Sequence, residues 1–153
     1  MRNILNLLIA FLIVAPAQAQ IQDPVKWSFE VEPVDKNHID LIIHANIEEG
    51  WHLYSQHVEG GPVPTSFTFF DNEKIKLKGR VSEGEPHEEY DPNFETILKF
   101  FDTKADFKQR IKLLSEETTL LKGELSFMSC NSTMCLPPEW VDIEVVLPAA
   151  EKV

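Results

Sequence analysis

Cysteine is scarce in this 153-residue chain, with Cys130 and Cys135 the only two. That excludes a small scaffold held by several disulfides and a zinc site built from four thiolates. Basic residues are also in short supply: 14 Lys and Arg stand against 25 Asp and Glu, for a net charge of -11. Such a balance argues against nucleic acid or anionic lipid as a partner. Glycine is sparse, at 6 residues, and neither a Gly-x-Ser-x-Gly elbow nor a glycine-rich phosphate loop occurs. Serine hydrolase and nucleotide chemistry lose their usual signatures with them. Long apolar runs are missing beyond Ile4 to Val14, and that one falls short of the roughly 20 residues a transmembrane helix needs.

The N-terminus decides the compartment. Arg2, the apolar run from Ile4 to Val14 broken only by Asn6, and Ala17-Gln18-Ala19 match the three parts of a secretory signal peptide. Residues 1–19 are expected to be removed, leaving residues 20–153 as a single exported domain. No cysteine follows the cleavage site, so a lipid anchor is not expected, nor is stable membrane insertion. The expected product is a soluble periplasmic monomer in a space where disulfides persist.

Period-two alternation runs through most of the mature chain. Val25, Trp27, Phe29 and Val31 form one such stripe, and Ile39, Leu41, Ile43, Ala45 and Ile47 a second. Glu48-Glu49-Gly50 then breaks the chain before the extended segment Trp51 to Gln56. Thr65 to Phe70 and Lys74 to Val81, joined by Asp71-Asn72-Glu73, read as a hairpin. Ser82 to Asn93 reads as a long acidic loop, followed by strand-like Thr96 to Phe101 and Ala105 to Leu114. Leu121, Leu125 and Phe127 alternate into the cysteine segment, while Val141, Ile143, Val145 and Leu147 alternate out of it. The cysteines are thus placed at the mouth of a hairpin. About eight or nine short strands without a helix predict an all-β fold, an immunoglobulin-like antiparallel β-sandwich.

Three chemistries suit the cysteine pair. Two close thiols in an exported protein can exchange disulfides with partners, form a passive bond, or join His52 and His57 around a metal ion. As a staple the bond is weak, because a ring this small contributes only about 2 kcal/mol of chain entropy. The metal reading lacks a second cysteine pair or a His-x-x-x-His arrangement, so no metal and no cofactor are expected. His38, His44 and His87 read as ordinary surface or satisfied side chains. Tyr90 stands out among Glu88, Glu89, Asp91 and Pro92, where an aromatic either anchors its own loop or covers something.

Three segments carry a family resemblance: Trp51-His52-Leu53-Tyr54-Ser55-Gln56, Glu85-Pro86-His87-Glu88-Glu89-Tyr90, and Cys130-Asn131-Ser132-Thr133-Met134-Cys135-Leu136-Pro137-Pro138. Together they resemble the N-terminal periplasmic domain of the DsbD-type thiol:disulfide interchange protein. The resemblance implies an immunoglobulin-like sandwich that passes electrons from a thioredoxin-like donor to exported thiol–disulfide proteins. It also implies that Cys135 forms mixed disulfides with partners and that Cys130 completes the internal bond. Tyr54, with His52 near it, falls beside the implied site, and Tyr90, preceded by Glu89, falls in an implied cap over the cysteines. The cysteine spacing is one residue shorter than in the best-known members. A chain reaching only to Val153 is expected to borrow its electrons from a separate protein and to act as a carrier without turnover of its own. The rival reading is a non-catalytic immunoglobulin-like binding module whose disulfide only pins a hairpin.

Overall fold

The computed structural model describes residues 22–151, so the expected signal peptide lies outside the described residues. Eleven strands and no helix make up these residues. The strands are β1 (Val25–Pro33), β2 (His38–Ile47), β3 (Trp51–Tyr54), β4 (Ser66–Phe69), β5 (Ile75–Glu83) and β6 (His87–Asp91), followed by β7 (Thr96–Phe101), β8 (Lys104–Leu113), β9 (Thr119–Phe127), β10 (Ser129–Asn131) and β11 (Glu139–Leu147). They form three antiparallel sheets, ordered β1-β2-β8-β5, β10-β3-β7-β6 and β11-β9-β4. The all-β sandwich expected from the alternation is the observed architecture.

Alternation explains why these segments pair as they do. In β8, Ala105, Phe107, Gln109, Ile111 and Leu113 are buried, while the intervening charged residues face outward. The first sheet turns this face toward Leu53 of β3, Phe101 of β7, and the inward residues of β9 and β11, and all of these join one core. Phe107 sits at its centre, with ring centroids 6.0 Å from Trp27, 5.0 Å from Phe67 and 5.8 Å from Phe101. It therefore touches a strand from each sheet. Gly123 of β9 is required by close approach, since a Cβ there would lie 2.5 Å from the Thr68 carbonyl oxygen of β4.

Two expectations need correction. Residues 65–81 do not form a hairpin: β4 pairs with β9, and β5 pairs with β8 in another sheet. The turn at Asp71–Glu73 carries the chain between layers, and Asn72 fastens it by donating to the Thr119 hydroxyl and the Leu120 carbonyl. Alternation reports which face is buried but not which strand lies alongside. Nor is 82–93 one long loop. β5 runs on to Glu83, past an irregularity between Lys78 and Ser82 where Gly79 has φ 76°, and β6 occupies half of what remains.

β9 and β11 do pair as expected, from Thr119 opposite Leu147 to Phe127 opposite Glu139. Between them the chain leaves this sheet. β10 joins the edge of the second sheet by pairing with β3, and it is β10 that carries Cys130.

Candidate functional site

The second sheet has two distinct faces. On β3, Trp51 and Leu53 turn toward the main core, so His52 and Tyr54 turn the other way. Register then places the neighbours: Cys130 lies opposite His52, Phe100 opposite Tyr54, and Leu98 is two residues along from Phe100. Tyr54, Leu98 and Cys130 are buried as a second apolar cluster, with Val58, Phe94, Phe100, Met128 and Cys135 packed against it.

Cys130 and Cys135 are joined by a disulfide with Cα atoms 4.0 Å apart. A tight turn brings them together. The Asn131 amide donates to the Met134 carbonyl at 2.9 Å, and the Leu136 amide donates to the Ser129 carbonyl at 2.9 Å. Burial differs across the bond: Cys130 is 0% exposed, whereas Cys135 is half-buried beside Met134, which is 44% exposed. Of the two cysteines, Cys135 is therefore the one that solvent reaches.

A second turn borders the cluster. Asp91 ends β6 with its carboxylate 1% exposed, accepting the Tyr54 hydroxyl and the amides of Asn93 at 2.8 Å and Phe94 at 3.3 Å. This is an Asx turn, the short-range bonding for which Asp-Pro-Asn is suited. It sets the Phe94 ring edge-on to Tyr54, with centroids 5.9 Å apart, and the chain leaves through Glu95 at φ 55°. Asn93 reaches across to the cysteine turn, donating from Nδ2 to the Asn131 carbonyl at 3.1 Å.

His52 completes the polar group. Its Nε2 lies 3.0 Å from the Tyr54 hydroxyl and 3.3 Å from the Asp91 carboxylate, and its ring sits 4.7 Å from Phe100. Burial holds the imidazole below its ordinary pKa despite the Asp91 charge. Burial pushes the Tyr54 phenol well up, with the Asp91 contact adding to it. For Asp91 burial acts in the opposite direction to the outcome: the Tyr54 hydroxyl, the two amides and His52 outweigh it and hold the carboxyl below its usual range. The site therefore contains one buried carboxylate, bonded to Tyr54 and two amides, beside the apolar cluster that includes the disulfide.

Not every predicted residue arrives here. His52, Tyr54, Cys130 and Cys135 converge. Glu89 faces the same side as Leu98, its register partner, but is exposed. Tyr90 is a correction to the expected cover. It pairs with Ile97 on the opposite face and is 59% exposed, while Phe94 is the ring that packs on the cluster. The reason is strand geometry: once residues 87–91 pair with β7, period two sends Tyr90 away from the face shared by Glu89 and Asp91. Asp91, Asn93 and Asn131 were not proposed as site residues from the sequence, although Asp-Pro-Asn and Asn-Ser-Thr are recognisable turn signals. Among the described residues, no group of three or more His, Cys, Asp or Glu side chains is arranged to hold a metal ion.

The sequence match decides the family, since residues 18–147 match the N-terminal domain of thiol:disulfide interchange protein DsbD. The chain belongs to the DsbD N-terminal domain family. Solved structures share the fold at low identity. The reduced DsbD N-terminal domain of Neisseria meningitidis is 14% identical, with TM-score 0.54 over 80% of this chain and 86% of that one. The N-terminal periplasmic domain of ScsB from Proteus mirabilis is 15% identical, with TM-score 0.58 over 84% of this chain. This chain spans about half of that structure, 49% of its length. A complex between the DsbD N-terminal and PilB N-terminal domains of N. meningitidis aligns at TM-score 0.50 and 14% identity, over 88% of each chain. No curated protein matches the sequence significantly.

Proposed function

We propose that this chain is a periplasmic carrier of reducing equivalents, in which Cys135 exchanges disulfides with thioredoxin-like partners and Cys130 resolves them. The observation that carries the reading is the asymmetry of the bond, with one cysteine buried and the other half-buried. A partner thiolate attacks the Cys135 sulfur, the S–S bond breaks, and the electron pair leaves on Cys130, which takes up a proton. The partner's second thiolate then attacks its own sulfur in the mixed disulfide, releasing Cys135 and completing a two-electron transfer. Running the same steps backward passes the electrons to an oxidised exported protein. Membership of the DsbD family supports this chemistry, and a solved relative in complex with a PilB domain supports protein partners. Export through the N-terminal segment is part of the proposal, and no helix among the described residues is long and apolar enough to cross a membrane.

Phe94 and the Asp91 turn serve as the cover in this scheme, with His52 and Tyr54 anchoring it and Glu89 on its outer rim. Trapping tests the roles. Incubated with an oxidised thioredoxin-like protein, Cys130→Ala should accumulate a mixed disulfide through Cys135, whereas Cys135→Ala should trap little. The reverse pattern would exchange the two roles. Absence of trapping by either variant would leave a passive bond in a binding module.

A further inference from the structure

The cysteine turn is not closed in the usual way. In an ordinary β-turn the carbonyl of the first residue accepts the amide of the fourth. Here the Met134 amide instead donates to the Asn131 side-chain oxygen, at 2.9 Å. The same Oδ1 also accepts the Thr133 amide at 2.9 Å and the Thr133 hydroxyl at 2.9 Å. This frees the Asn131 backbone carbonyl, which accepts Asn93 Nδ2 from the neighbouring turn. The Asn131 side chain thus adds three bonds to the two backbone bonds that close the turn, Asn131 amide to Met134 carbonyl and Leu136 amide to Ser129 carbonyl, and none of the five uses a sulfur.

We propose that Asn131 is a positioning residue that sets the oxidation equilibrium of the Cys130–Cys135 pair, by keeping the two sulfurs together in the dithiol form. The inference deepens the carrier reading and rests on it for biological meaning. Its physical basis is linkage. Closing the disulfide requires the turn, so the apparent constant for closure is the intrinsic one multiplied by the fraction of dithiol already in that turn. None of the three side-chain bonds uses a cysteine atom, so breaking the S–S bond removes none of them directly. They raise the effective concentration of Cys130 at Cys135, which favours the disulfide and speeds resolution of a mixed disulfide. In each cycle the bond formed is S–S, the two thiol protons are released, and the two electrons pass to the partner disulfide.

The test is equilibration of the oxidised protein with glutathione buffers, which measures the bond whether or not any protein partner uses it. Failure here is therefore distinguishable from failure of the trapping experiment. Asn131→Ala is expected to lower the closure constant about tenfold, which makes the couple about 30 mV more oxidising. Asn131→Asp keeps an acceptor for the same donors and should remain within about threefold of the parent. As a second measurement, hydrogen exchange in the Cys130→Ser/Cys135→Ser protein should find the Thr133 and Met134 amides protected. A closure constant unchanged in folded Asn131→Ala would overturn the proposal. So would equal losses in the Asp and Ala variants, or unprotected amides in the protein lacking both cysteines.

Discussion

Replacing Asp91 with alanine removes the acceptor that joins three parts of the site. Its carboxylate is 1% exposed and takes the Tyr54 hydroxyl, the Asn93 amide and the Phe94 amide. The losses are unequal. Asn93 is exposed and Phe94 half-buried, so their amides turn to water once the turn opens. The Tyr54 side chain is 0% exposed, and a buried hydroxyl left without its partner costs about 1–3 kcal/mol. His52 Nε2, 3.0 Å away, offers a substitute acceptor and limits that cost. Adding the dispersed Phe94 packing brings the expected loss to about 2–3 kcal/mol.

Urea unfolding of the oxidised protein, followed by tryptophan fluorescence, measures this loss. A double-mutant cycle with Tyr54→Phe isolates the shared bond. The two substitutions should be non-additive by about 1–2 kcal/mol, because each removes the same charge-assisted contact. Additivity within about 0.3 kcal/mol, or a loss below about 0.5 kcal/mol for Asp91→Ala alone, would refute the claim that the carboxylate holds the site together.

Removing both cysteines as Cys130→Ala/Cys135→Ala should lower stability by only about 2 kcal/mol in the same assay, given the short ring; a loss near 5 would mark the bond as a structural staple. Phe94→Ala should speed reduction by glutathione about tenfold, equivalent to about 1.4 kcal/mol of lost cover, while Tyr90→Ala should change it less than about twofold. Equal effects of the two would show that the cover is not where the ring contacts place it. The Asp91 pKa is lowered by folding, so its contribution is fully present above the unfolded value of about 4 and is lost as pH falls through the folded value. Asp91→Asn should flatten that acid limb of the stability curve. The His52 pKa is also lowered, so the unfolded chain binds the extra proton first and stability should fall as pH drops below about 6.5. His52→Gln should abolish that decline, and a decline unchanged in the variant would assign it to another group.

Alternation along Val25–Val31, Ile39–Ile47 and Val141–Leu147 was enough to specify an all-β chain, because a half-buried strand must place its apolar residues at every second position. The Cys130–Cys135 pair and its Pro-Pro flank were equally legible, since local spacing limits what two thiols can do. The partners of each strand were not. Residues 65–70 and 74–81 carry the pattern of a hairpin, yet β4 and β5 lie in different sheets, because alternation is the same whichever neighbour supplies the ladder. The side of the sheet on which a residue stands was also decided by pairing. An acidic segment read as a loop singles out its aromatic, Tyr90, but once the segment becomes β6 the register turns Tyr90 away and brings in Asp91. The excursion of β10 from β9 to pair with β3 then sets Cys130 opposite His52, and no local signal announces it. Sequence alone determined the chemistry available and which residues of each alternating strand are apolar. The tertiary structure decided which faces meet, because that depends on contacts between residues far apart along the chain.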